Sequence, residues 1–397
     1  MDFRLSPAEE AFRTEVRTWL RANLPAGRGT AASRDPPTAA EKIAAAKAWQ
    51  ATLYRGGWAG ITWPRHYGGR GANLVEQLIF NEECASADAP DSINLAVALG
   101  LVGPTLMACG TSAQQARFLP RILCGDDVWC QGFSEPNAGS DLAGLKTRAE
   151  VQGDTIVVTG QKIWTSFAQY ADWCILVVRT NPGAAKKHDG LSFLLVDMHS
   201  PGITIRPLVE MTGEAWFNEV FFDAVPVPRA NVVGAIDRGW DVVLTTLAHE
   251  RGGAAPHARL RRELRGLVRL ARHPTGGGAA AARDRGMRQR LAQLAIEVEL
   301  ARLTAYRNVT VVQRTGRPGP EGSILKLFWS ELEQRLMDTA GEVLGPYAAL
   351  ARGEGRAPDA GTWSRELLWT RSATIYAGTS EVQRNIIAQR VLGLPRS

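Results

Sequence analysis

"AEVQGDTIVVTGQKIW", residues 149–164, decides the fold. The character of the chain changes from helical to strand-like near residue 128, and this stretch is the clearest sign of the change. Its two halves flank Gly153-Asp154, so the stretch reads as a hairpin turning there. Toward the N-terminus, Ser6-Pro7-Ala8-Glu9 fits a capping box with proline at the first helical position, and Phe12, Val16, Trp19 and Leu20 then recur at helical spacing. Residues 29–38, small and proline-rich, read as a loop. "AAEKIAAAKAWQATLYRGG" is a second helix ending at Gly56-Gly57, and helical patterns continue to about residue 118. Toward the C-terminus, "WCILVVRT", "LSFLLVDM", "ITIRPL" and "NEVFFDAVPVP" are further strands. In the last, Val220 and Phe222 alternate with Phe221 and Asp223, as two faces of a strand do. From Gly239 the pattern is helical again, around 239–270, 286–315 and 321–344, with "RHPTGGGAAAARD" as a loop between the first two. Helices, then strands, then helices predict an α+β protein with a central β-domain. No internal repeat appears, and no G-x-G-x-x-G follows a strand, which argues against a dinucleotide-binding Rossmann domain.

The 397 residues are 45% hydrophobic and 22% charged, an ordinary globular composition. No run of eighteen apolar residues occurs, so no membrane span is expected. "MDFRLSPAEEAFRTEV" lacks an apolar core, so no secretion signal is expected. Cys84, Cys109, Cys124, Cys130 and Cys174 are odd in number and lack zinc-finger spacing; reduced thiols in a cytoplasmic protein, with no metal, are the expectation. The net charge of +6 owes much to "RLRRELRGLVRLAR", residues 259–272. A solvated arginine-rich helix face is the first reading and an anionic small-molecule partner the second. No groove-reading motif accompanies the charge, so nucleic acid is not expected.

Three segments carry chemistry. "QGFSEPNAGSD", residues 131–141, joins a turn at Pro136-Asn137-Ala138-Gly139 to the hydroxyls of Ser134 and Ser140; alone it would be a surface loop. "QKIWTSFAQYADW" puts Trp164 two residues before Ser166, on one face if the segment is a strand. An aromatic plane beside a hydroxyl suits a flat heteroaromatic ligand, whereas an isolated tryptophan fills a core. In "IYAGTSEVQR", residues 375–384, small residues precede a helix that Ser380 and Gln383 would start as a capping box. Free N–H groups at that end favour a phosphate. A helix capped for its own sake is the competing reading.

Together these segments resemble the acyl-CoA dehydrogenase family. The resemblance runs from "LSPAEEAFRTEVRTWL" through "WPRHYGG", "FSEPNAGSD", "GQKIWTS", "FNEVFFDAVPVPRANVVG" and "LAHERGG" to "AGTSEVQRNIIAQRVLGLPR", nearly the whole chain in the family's order. It looks most like actinobacterial-type members, including those acting on bulky acyl groups such as steroid side chains. The resemblance implies a helical N-terminal domain (1–125), a middle β-domain, sandwich- or barrel-like (126–235), a C-terminal four-helix bundle (236–397) and one FAD per subunit. It implies a dimer or tetramer, or a mixed tetramer with a related chain, and an electron-transfer flavoprotein as acceptor. Gln131, Phe133, Ser134 and Ser140 match the segment along the flavin, Ser140 also lying near the acyl-CoA substrate. Trp164 and Ser166 match the positions covering the isoalloxazine, and Thr379 and Glu381 those at the FAD diphosphate. Glu342 and Gly345, in "EVLGP", match a cross-subunit cofactor contact. The family's Arg-x-x-Phe-Gly segment is not recognisable; Arg288 in "ARDRGMRQRL" is the candidate in its place.

The family's reaction removes the α-proton of an acyl thioester and passes the β-hydrogen to flavin N5. It needs a carboxylate for the proton and donors on the carbonyl. Many members carry the carboxylate just after the tyrosine of a Y-E-G-T segment. Here Ala377 stands there, after Tyr376, and cannot take a proton. The isovaleryl- and long-chain-type enzymes place the glutamate before an arginine on a bundle helix, which Glu250 and Arg251 match. Positions 246 and 254 are threonine and alanine, so Glu250 has no i,i+4 ion-pair partner there. His249 turns the other way. Glu250 is therefore the expected base, buried with a raised pKa. Ala377 keeps its backbone N–H, expected on the thioester carbonyl; Arg251 and Tyr376 are expected at the substrate. Gly252, Gly253 and Pro256 would weaken and bend the helix, leaving room for a wide acyl group, or fray it into a loop. Two competing functions are an oxidase using O₂ and a subunit silent without its partner.

Overall fold

The computed structural model describes residues 4–26, 38–90, 97–252, 256–274, 279–316 and 319–395, without the side chains of 250–252. Most of the proline-rich loop expected at 29–38 and part of the glycine-rich one after residue 272 lie outside the described residues.

The chain forms two compact units, 23–73 with 90–253, and 1–22 with 74–89 and 254–397. The first holds α2 (Ala39–Arg55), α4 (Gly103–Cys109), α5 (Ser112–Cys124), α6 (Gly239–Gly252) and all the strands. These are β1 (Trp129–Gly132), β2 (Arg148–Gln152), β3 (Thr155–Lys162), β4 (Trp173–Arg179), β5 (Leu191–Asp197), β6 (Ile203–Leu208), β7 (Phe217–Pro228) and β8 (Val232–Val233). They join in one eight-stranded sheet ordered β6-β7-β3-β2-β4-β5-β8, with β1 paired in parallel to β4. The hairpin forms as expected: Gln152 pairs with Thr155 across Gly153, which sits at φ +62°. β7 buries Asn218, Val220 and Phe222, then Val225 and Val227. The phase slips by one residue because the register with β3 shifts near Gly160 and Ala224 turns to φ +49°. In "WPRHYGG", a Cβ on Gly69 would lie 2.4 Å from the Cβ and the carbonyl oxygen of Trp63, so glycine lets the chain fold back against that residue's backbone.

The second unit holds α1 (Pro7–Asn23, its last residue at the boundary), α3 (Leu74–Ser86), α7 (Pro256–Arg272), α8 (Arg285–Thr315), α9 (Gly322–Leu344), α10 (Thr362–Trp369) and α11 (Ser380–Ile386). The capping box at Ser6 is present, Ser6 N donating to Glu9 Oε2 (2.7 Å) and Glu9 N to Ser6 Oγ (3.3 Å). Helices α7 to α10 share a core of Leu260, Leu267, Leu294, Leu332, Leu336 and Trp363. Burying such side chains contributes about 1.5–3 kcal/mol each. Within the helical run expected over 239–270, the described residues form helix over Gly239–Gly252 and again from Pro256, whose missing N–H costs no hydrogen bond at a first helical position. Helix α7 is more than a solvated arginine face: Arg261 pairs with Glu299, Arg262 with Asp88, and Arg259 with the buried Glu333 (2.5 Å). All five cysteines are free thiols.

Candidate active site

The expected site residues fall into two sets, one per unit. In the first, β1 ends at Gly132 and delivers Phe133 into the core, edge-on to Phe193. The following turn closes one residue earlier than expected, Glu135 and Ala138 exchanging both backbone hydrogen bonds (3.1 and 3.0 Å) around Pro136-Asn137. Gln131 and Ser134 are half-buried and Ser140 is exposed. The segment carrying Trp164 and Ser166 lies beside Ser134, since Ile163 N donates to Ser134 O (2.9 Å).

That segment is not a strand. β3 stops at Lys162, and Trp164 and Phe167 both take positive φ (+59° and +56°). The pairing of Trp164 with Ser166 on one strand face is thus corrected. Backbone twist brings them to the surface instead, Trp164 58% exposed and Ser166 half-buried. Thr165 N and Asn218 N are exchanged against each other's carbonyls (3.1 Å each), which pins the twist to β7. An uncovered indole plane beside a hydroxyl and a partly open strand end fits the flat ring of a flavin.

In the second unit, the "IYAGTSEVQR" turn is braced from two directions. The buried Lys326 of α9 donates to Gly378 O (2.7 Å) and Ala373 O (3.1 Å), and Gln383 Nε2 donates to Ala377 O (3.0 Å) and Gly378 O (3.3 Å). Ala377 is held at φ +53°. Its N–H has no acceptor among the described residues. The α11 cap is Thr379, whose hydroxyl accepts from Val382 N (3.2 Å). The capping box expected at Ser380 is therefore corrected by one residue: the chain is still extended at Thr379, and Ser380 is already helical with its hydroxyl buried. Glu381 is exposed; its own backbone N–H and the Thr379 hydroxyl hold its carboxyl below the usual range. Tyr376 is 37% exposed and lies 6.3 Å from the Trp329 ring; desolvation of its hydroxyl end raises the phenol above its ordinary value.

Glu250 and Arg251 lie in the last turn of α6, and their side chains are outside the described residues. One turn earlier Thr246 is fully buried, bonded to Thr105 (2.9 Å). His249 is exposed, its pKa lowered by partial desolvation. Arg288 spends its guanidinium on Ala282 O (3.2 Å) and Arg283 O (2.8 Å), and Glu342 pairs with Arg290. Gly345 follows α9 at φ +54°. Sequence reasoning missed the buried Lys162 and Glu135 and the brace Lys326, and it read Gln383 as a capping-box partner where the structure makes it a brace. One signal existed for Lys162, which falls in phase with the buried Ile156 and Val158 of its strand, where a charge requires a partner.

Three family models match the chain: the N-terminal, middle and C-terminal domains of acyl-CoA dehydrogenase, over residues 6–126, 130–225 and 237–392. The acyl-CoA dehydrogenase IpdE1 of Mycobacterium tuberculosis is 43% identical over 98% of each chain, and FadE26 of the same organism 35% over the whole of both. Among solved structures, the ChsE4-ChsE5 complex from Mycobacterium tuberculosis matches at a TM-score of 0.85 with 34% identity. The Tcur3481-Tcur3483 steroid ACAD matches at 0.83 with 31%, each over the full length of both chains. The chain belongs to the acyl-CoA dehydrogenase family. It is an oxidoreductase that dehydrogenates an acyl-CoA at a CH–CH bond with FAD as cofactor. Among the described residues, no helix is long and apolar enough to cross a membrane.

Proposed function

We propose that Glu250 removes the α-proton of a bulky acyl-CoA whose carbonyl is held by the Ala377 N–H. The observation that carries this reading is the Ala377 turn, which has no side chain able to accept a proton but offers a fixed backbone N–H without an acceptor among the described residues. A weakly acidic α-C–H needs both a base and a donor where negative charge develops. The Glu250-Arg251 pair, which matches the glutamate-before-arginine arrangement of the isovaleryl- and long-chain-type enzymes, supports Glu250 as that base. Arg251 and Tyr376 border the substrate. Gln131, Phe133, Ser134 and Ser140 lie along the flavin, Trp164 and Ser166 cover it, and Thr379 and Glu381 meet the diphosphate. When bound, FAD supplies the acceptor for the β-hydride. Gly345 is proposed at a neighbouring subunit's cofactor, as are Arg288 and Glu342, which would first have to give up the Ala282 and Arg283 carbonyls and Arg290 respectively. The domain division at 1–125, 126–235 and 236–397 belongs to the same reading.

A bulky, steroid-derived acyl group is supported by the likeness to the Tcur3481-Tcur3483 steroid ACAD. An electron-transfer flavoprotein is the proposed acceptor and the cytoplasm the proposed location. The assembly is a dimer or tetramer of this chain or a mixed tetramer; the ChsE4-ChsE5 relative, a complex of two named chains, favours the mixed form. Glu250→Gln is expected to lower kcat by about a hundredfold or more with FAD retained. A loss below about tenfold would sink the assignment of the base. Flavin bleaching by straight, branched and polycyclic acyl-CoA esters tests the substrate class. If the purified chain is colourless and turns yellow only with a partner, the partner-dependent subunit replaces the self-sufficient enzyme. Peroxide release outpacing dye reduction would mark an oxidase.

A further inference from the structure

Lys162 is fully buried at the end of β3, and its ammonium donates to Phe133 O (3.0 Å) and Glu135 Oε1 (2.9 Å). Glu135 is itself buried and accepts from Lys146 N (2.6 Å) and Thr147 N (2.8 Å). A buried ion pair is an inefficient source of stability, because desolvation of both charges offsets most of their attraction. This pair instead grips one particular peptide plane. The Phe133 carbonyl faces the lysine; on the other side of that amide, the Ser134 N–H has no acceptor among the described residues. A charged donor on the carbonyl polarises the amide and strengthens its N–H as a donor. The next carbonyl, Ser134 O, accepts from Ile163 N, so two successive peptides are tied to the chain entering Trp164. Gly132 leaves room for this. A Cβ there would meet Leu176 at 2.7 Å, Cys174 Sγ at 3.0 Å and the Lys162 stem at 3.6 Å.

We infer that Lys162, held by Glu135, is a positioning residue of the flavin site: it sets the Phe133–Ser134 peptide so that its N–H is offered to FAD, and locks that peptide to the Trp164–Ser166 segment. This rests on the flavin reading of residues 131–134 and 164–166. Lys162 acts through the peptide and touches neither substrate nor cofactor.

The test compares wild type, Lys162→Met, Glu135→Gln and the double variant. Three quantities are read: FAD affinity of the apoprotein by fluorescence titration, the midpoint potential of the bound flavin, and the apoprotein Tm. Lys162→Met strands the Glu135 charge and lowers Tm; adding Glu135→Gln removes that charge and returns Tm toward wild type. Glu135→Gln alone takes away the charge that holds the buried lysine, so it is expected to lower Tm and to weaken FAD binding, though less than Lys162→Met does, because the lysine still reaches the Phe133 carbonyl. FAD affinity is expected to fall about three- to tenfold in both variants lacking the lysine, the scale of one lost hydrogen bond from a neutral peptide N–H. The potential should shift negative in both, since a weakened donor stabilises the electron-rich reduced flavin less. A double variant with restored Tm, FAD affinity within about twofold of wild type and unchanged potential would overturn the inference, leaving the pair a structural tie. Wild-type protein that binds no FAD would overturn the flavin reading of these segments and the inference with it.

Discussion

Ala377 holds a left-handed backbone conformation that costs an L-residue about 1 kcal/mol or more. It is kept there because Gln383 takes its carbonyl and Lys326 takes the next one. Glycine at this position would relieve the strain and keep the N–H. Ala377→Gly should therefore retain turnover of the same order and raise unfolding free energy by up to about 1 kcal/mol, measured by denaturant titration. Ala377→Pro deletes the N–H and cannot reach positive φ. It should lower kcat about a hundredfold, the usual effect of removing one carbonyl donor, and melt earlier. Full activity in the proline variant would remove Ala377 from the mechanism.

Helix α11 shows how one residue of displacement changes which hydroxyl matters. Thr379 caps the helix, whereas the Ser380 hydroxyl is buried without a partner. Thr379→Ala should cost about 1 kcal/mol of stability, the usual value of a lost N-cap. Ser380→Ala should be neutral or slightly stabilising, because it removes an unsatisfied buried polar atom. Equal losses in the two variants by thermal melting would place the cap where the S-x-x-Q pattern suggested. The same helix supplies Gln383, so its start and the shape of the Ala377 turn are set together.

At the scale of the whole molecule, each unit buries charge. In the helical unit, burial pushes the Glu263 carboxyl up to about 8; Arg259 pulls against this, and Glu333 and Glu366 add to it. Folded protein therefore holds a proton on Glu263 that unfolded chain has lost between the ordinary carboxylate range and pH 8. This contribution is fully present below that range and is lost as pH rises through about 8. Wild type should thus lose stability against Glu263→Gln as pH goes from roughly 5 to 8, read from paired urea titrations. A constant difference across that window would contradict the buried, protonated Glu263. Lys162 has the opposite sign. Burial pushes it down to about 8, so its protonation in the unfolded chain makes stability rise from there toward 10.5.

Much of the fold was legible in the sequence because its signals are local. Gly153-Asp154 turns a hairpin, Ser6 and Glu9 close a capping box, and Val220 and Phe222 alternate inward, each through neighbours a few residues away. The motifs likewise pointed to the family, and the match of three domain models bears that out. What the sequence could not disclose is decided by distant partners. Glu135 and Lys162 meet across 27 positions, and Lys326 and Gly378 across 52. Trp164 leaves the strand because Thr165 is pinned to Asn218 on another strand. Chain order by itself determined the elements, their succession and the residues at which chemistry is expected. Tertiary structure alone decided which backbone N–H groups stay open and which buried charges hold them there, because burial and hydrogen bonding between remote segments exist only once the chain has folded.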